Sequence, residues 1–197
     1  MVYVLFIVIA LVSFAVQRTL QSKFERYSKI PIPYGLTGRD IAMRMLQENG
    51  INDVSVTQVD GHLTDHYNPA THTVNLSRDV YYGNSVAAAA VAAHECGHAI
   101  QHATNYVPLN LRSAIVPVAN IGSTLSWPLF LAGLIFSIRP LLTVGIILFT
   151  FAVLFQLVTL PVEFNASSRA LKMLGSSGML GNDEVKGARK VLTAVSY

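Results

Sequence analysis

The sequence predicts a mainly helical protein of the α+β class, in which a domain holding a small sheet is joined to three transmembrane helices. Three observations carry that prediction. The 197 residues are 52% hydrophobic and only 13% charged, against about 25% charged in an ordinary soluble domain. The apolar surplus is gathered into three long runs. Strand-like alternation is confined to a short stretch ahead of residue 80.

The first apolar run spans residues 1–16, with Ser13 its only polar side chain. A crossing helix takes about 20 apolar residues, so this run is marginal but plausible as a span, and the two later runs qualify. No Lys or Arg precedes it and Gln17-Arg18 follows it, so an uncleaved anchor over 1–17 is expected rather than a signal peptide. Arg18, Lys23, Arg26 and Lys29 then form a basic helix suited to an anionic leaflet, ended by Pro31-Ile32-Pro33. Thr37-Gly38-Arg39-Asp40 leads into an amphipathic helix that stops near Asn49-Gly50.

Val54–Val59 alternates as a half-buried strand does, and Thr71–Ser77 reads as a second strand. Between them, His62–Pro69 reads as a polar loop. Asn84 or Ser85 can cap the next helix, whose alanines at 87–90, 92 and 93 are the strongest helix formers. The second apolar run covers about Ala114 to Ile138 and the third Leu141 to Leu160, giving a hairpin over 113–160 turned at Ser137-Ile138-Arg139-Pro140.

Charge orients the chain. Of its 14 Lys and Arg residues, Arg139 alone lies in that turn, and the rest fall on 17–112 and 161–197. Positive flanks stay inside, so both segments are expected in the cytoplasm. The pI of about 9.1 is thereby explained without nucleic acid, and no run of cations interleaved with aromatics suggests such a partner. The single cysteine, Cys96, excludes an internal disulfide.

The alanine-rich helix carries the chemistry: His94-Glu95-Cys96-Gly97-His98. Residues four apart share a helix face, so both imidazoles can meet one metal ion. Glu95, about 100° round the helix, can serve as general base to water that the metal activates. The bland alternative is two surface histidines on an ordinary amphipathic helix. Catalytic zinc takes three protein ligands. His102 lies one turn too far along the same helix, since ligands on three successive turns spread over about 12 Å. His62, His66 and His72 remain possible. Glu163 is the stronger candidate, because the hairpin returns the chain to the face it left shortly after His98. Pro161 can begin a helix that holds Glu163 in its first turn, where a carboxylate could equally just stabilise the N-terminus.

His94–His102, the two following spans and Pro161-Val162-Glu163-Phe164-Asn165-Ala166-Ser167-Ser168-Arg169-Ala170-Leu171 resemble the bacterial membrane-anchored neutral zinc metallopeptidases. Leu63–Pro69 and Val74–Ser77 match that family as well, so the similarity covers nearly the whole chain. The resemblance implies a zincin-like, gluzincin-type metalloprotease domain. It puts one zinc ion on His94, His98 and Glu163, with Glu95 catalytic. Looser relatives carry Asp four residues after the third ligand, where this chain has Ser167. The family also leads one to expect a further apolar segment near the C-terminus.

The expected function is peptide-bond hydrolysis by zinc-activated water, with Glu95 as general base and acid, on a protein or peptide substrate at the bacterial cell membrane. Residues 18–112 would form a cytoplasmic catalytic domain, and 161–197 C-terminal helices supplying the third ligand. Tyr67, His66 and Arg169 are candidates to stabilise the oxyanion. Thr73–Ser77 could offer an edge to substrate or lie inside the sheet. Cys96 should face away from the metal. The rivals are an intramembrane site-2-type zinc protease, disfavoured because the Asp60-Gly61 pair lies upstream in a polar stretch, and a non-enzymatic zinc-binding scaffold, which would need no Glu95.

Overall fold

The computed structural model describes residues 1–196, except for the side chains of Val2, Tyr3 and Phe6. Seven α-helices and three strands follow in the order α1 (Val2–Ser28), α2 (Gly38–Glu48), β1 (Ser55–Val59), β2 (His66–Asn68), β3 (Thr73–Ser77), α3 (Arg78–Tyr81), α4 (Val86–Ala103), α5 (Val107–Ile135), α6 (Arg139–Ser176) and α7 (Asn182–Val195). They divide into two compact units. One holds residues 1–104 and 163–197, the other residues 105–162.

The first unit is built around α4. Every residue from Val86 to Gln101 is buried, with α1, α2, α3, α7, β2 and β3 all packed on it. A helix covered on all sides is mostly apolar, and the polar side chains it does bury must find partners. Alanine also has the shortest apolar side chain, so the neighbours approach closely. Ser85 caps the helix, its side chain accepting from the Ala88 amide. In α2 the Thr37 hydroxyl and the Asp40 carboxylate cap each other's backbone amides, and Ile41, Ala42, Met45 and Leu46 turn inward.

The sheet has the order β1-β3-β2. β1 pairs parallel with β3, Ser55 opposite Thr73 through Val59 opposite Ser77; β2 pairs antiparallel with β3, Tyr67 opposite Val74. β3 is therefore internal, and the open edges belong to β1 and β2. β2 falls within the stretch that reads as a loop. Its three residues are too few and too polar to show alternation, and only pairing with β3 makes them a strand.

The second unit is a helical hairpin. Among the described residues, two helices are long and apolar enough to cross a membrane: α5, which holds an 18-residue stretch of mean hydropathy 1.4, and α6, which holds one of 2.5. Three were expected; the first of them, over residues 1–17, falls partly on Val2, Tyr3 and Phe6, whose side chains are outside the described residues, so two is the count among the described residues. α1 still exposes Val4, Leu5, Ile7, Val8, Leu11, Val12 and Phe14. Within the hairpin, glycines let the helices meet: a Cβ on Gly145 would stand 3.0 Å from the Phe130 amide nitrogen, and one on Gly133 would stand 2.7 Å from that of Leu142. Ser137 turns the chain at φ 53°. Pro161 does not begin a helix: α6 runs through it without a break. A proline removes one amide donor, which a long helix tolerates.

Candidate metal centre

α4 presents His94, Glu95 and His98 from its interior, with relative exposures of 1%, 7% and 7%. That burial excludes a pair of surface histidines. Facing them is the last third of α6, in which Ala166, Ala170 and Leu174 form a stripe at 0% exposure. The stripe repeats every four residues, so it holds one face of α6 in the core. Glu163 is next to it.

The Nε2 of His94 lies 2.9 Å from Glu163 Oε2, and the Nε2 of His98 lies 3.5 Å from the same oxygen. All the offered atoms of the three residues fall within 4.8 Å of one another. Donors about 2.1 Å from a tetrahedral ion stand roughly 3.4 Å apart, so the set fits zinc in spacing as well as in chemistry. The imidazoles cross edge to face at 85°.

Each imidazole is held by its other nitrogen. His94 Nδ1 lies 2.8 Å from Ser167 Oγ, which is 2.6 Å from Ser196 Oγ; the Ser196 hydroxyl donates to the Leu192 carbonyl at 2.9 Å. His98 Nδ1 lies 3.0 Å from Gln101 Oε1. Gln101 donates from Nε2 to Asn165 Oδ1 at 3.0 Å, and Arg169 Nε donates to that oxygen at 2.7 Å. Such outer partners orient metal-binding histidines.

Burial raises the Glu163 carboxyl, but hydrogen bonds from His94 and His98 outweigh it and hold the acid well below the usual range. Burial works against a charged His98, yet the Glu163 hydrogen bond and the charges of Glu95 and Glu163 raise it above the ordinary imidazole value. The cluster therefore favours a positive charge at its centre, whether a proton or a cation. Asp65 is raised by burial and by Glu95, against the lowering effect of the Ser77 amide that it accepts at 2.7 Å.

The other singled-out residues are placed elsewhere. His102 Nδ1 meets the Tyr67 hydroxyl at 2.8 Å. His62 pairs with Asp79, His72 with Asp53, and His66 with the Thr64 carbonyl. Cys96 is wholly buried with its thiol toward the Ala42 carbonyl, and burial pushes its pKa well up. Gln101 and Asn165 were not foreseen as site residues. Gln101 follows His98 by three, and Asn165 precedes Arg169 by four; these same-face spacings are the signal that could have found them.

The description "Putative neutral zinc metallopeptidase" matches residues 2–197. The chain belongs to that neutral zinc metallopeptidase family. It is 50% identical over 184 residues, 93% of this chain and 82% of the relative, to "Putative membrane protease YugP" of Bacillus subtilis (strain 168). No solved structure matches it. The family's zinc is in keeping with the donor set that His94, His98 and Glu163 bring together.

The close approach of α6 to α4 explains Gly97. A Cβ there would stand 2.6 Å from the Ala166 carbonyl oxygen, a backbone atom that cannot swing aside. Gly97→Ala is thus expected to push α4 from α6, costing about 1–3 kcal/mol of stability. It should also weaken zinc binding, because it separates the histidines from Glu163. Thermal unfolding and zinc titration of the purified variant would check this. Wild-type values in both would mean the two helices have room to part.

Proposed function

We propose that this chain is a membrane-bound zinc endopeptidase with a zincin-like catalytic part formed by residues 18–112 and 161–197. One observation carries the reading: two buried imidazoles on successive turns of α4 converge with a carboxylate brought from α6, beside a second buried glutamate. His94, His98 and Glu163 would hold the ion. Zinc bound there would lower the pKa of water and polarise a peptide carbonyl. Glu95 takes the proton of the attacking water and returns it to the leaving amine. Burial strengthens each of these charge effects. An extended substrate adds by backbone pairing to the open edge of β2, which packs on α4.

The hairpin over 113–160 crosses the bacterial cell membrane, so its two ends lie on one side. The lysines and arginines on 17–112 and 161–197 support a cytoplasmic side for both ends. The exposed apolar residues of α1 add a further lipid contact. The intramembrane alternative draws no support from α4, which is covered by protein on all sides and is not among the candidate spans. The scaffold alternative leaves Glu95 without a role.

The test uses the full chain in detergent with an unfolded casein substrate. Cleavage should stop on treatment with a zinc chelator and return with stoichiometric zinc. A purified chain that binds zinc but cleaves no unfolded substrate would favour the scaffold instead.

A further inference from the structure

We infer that Arg169 fixes the ring tautomer of His98 through Asn165 and Gln101, and so decides which nitrogen that imidazole offers to a metal. The inference rests on the zinc-site reading above and gives a task to three residues outside the ligand set. Gln101 is fully buried, and Asn165 and Arg169 are half-buried.

The argument is one of direction. A guanidinium only donates hydrogen bonds, so the Asn165 atom 2.7 Å from Arg169 Nε must be its oxygen. That oxygen is also 3.0 Å from the Gln101 amide, which must therefore turn its NH2 toward it. The Gln101 carbonyl is left facing His98 Nδ1 at 3.0 Å. A carbonyl only accepts, so Nδ1 carries the hydrogen. The lone pair of the neutral ring then sits on Nε2, the atom that faces Glu163 at 3.5 Å. Without the guanidinium, Asn165 loses the donor that fixes its oxygen, and with it Gln101 loses the acceptor that directs its NH2 away from His98. A Gln101 NH2 against Nδ1 would move the ring hydrogen to Nε2, where it blocks the metal. Behind His94 the partner is the Ser167 hydroxyl, which can donate or accept, and that chain of hydroxyls contains no side-chain amide or guanidinium. Arg169 is thus a positioning residue.

Zinc affinity is to be measured on the metal-stripped full chain in detergent, by competition with a chromogenic chelator. Arg169→Met should weaken binding about 10–100-fold, the usual effect of losing an outer partner. Adding Asn165→Asp to that variant should restore most of it, because a carboxylate shows Gln101 an oxygen whichever way it turns. Asn165→Asp alone should change little. An equal gain from Asn165→Asp with and without Arg169 would mean simple charge attraction and overturn the relay. Unchanged zinc affinity with a lower kcat would make Arg169 a substrate contact and overturn it too. Should Arg169→Met fail to fold, Asn165→Leu decides: it breaks the relay with Arg169 in place, and wild-type affinity would sink the idea. A wild-type chain that takes up no zinc sinks this inference and the functional reading together; a zinc-binding wild type matched by Arg169→Met sinks the relay alone.

Discussion

Glu95→Gln is expected to leave zinc bound at the wild-type level while peptide cleavage falls by about 10²–10⁴-fold, the usual contribution of a general acid–base group. The amide has the shape of the carboxylate, so the packing of a residue only 7% exposed is preserved. What it lacks is basicity: it cannot take a proton from water or hand one to the departing amine. Zinc content and steady-state hydrolysis on one preparation separate the two effects. Cleavage by the variant at the wild-type rate would remove Glu95 from the mechanism.

Glu163→Ala is expected to do the opposite, removing the metal first and the activity with it. A ligand to the ion is lost, so affinity should drop by more than the roughly 100-fold that removal of an outer partner can bring. Glu163 also supplies the hydrogen bond that most strongly offsets the cost of burial at His98. The variant should therefore leave His98 neutral over a wider pH range, yet bind zinc worse, because one anionic donor is missing. Equilibrium dialysis against zinc would measure the loss. Retained zinc would mean that another side chain closes the coordination sphere.

How much of this was legible in the sequence depends on the reach of each interaction. The starts of α2 and α4, the end of α2, β1, β3 and the hairpin all carry signals within a few residues, so periodicity and end signals reveal them. β2 was invisible because its partner is the only thing that makes it a strand. Pro161 misled because its local signal, a helix start, is overridden by a helix already running through it. The apolar run ending at Val16 has the composition of a third span, whereas among the described residues only α5 and α6 are long and apolar enough to cross.

The candidate site divides the same way. Its histidine pair and Glu95 follow from the pitch of one helix, and residue chemistry with the hairpin's return made Glu163 the candidate third donor. By itself, then, the sequence determined a helix with two imidazoles and a carboxylate on adjoining faces, and an apolar hairpin that turns the chain back. Only the tertiary structure decided that an acid 69 residues from His94 stands 2.9 Å from its ring. It alone decided that Gly97 admits the α6 backbone, and that Arg169 orients two amides behind His98. The physical reason is range. Helix pitch and capping act between neighbours along the chain, whereas hydrogen-bond direction across a packed interface exists only once both helices are in place.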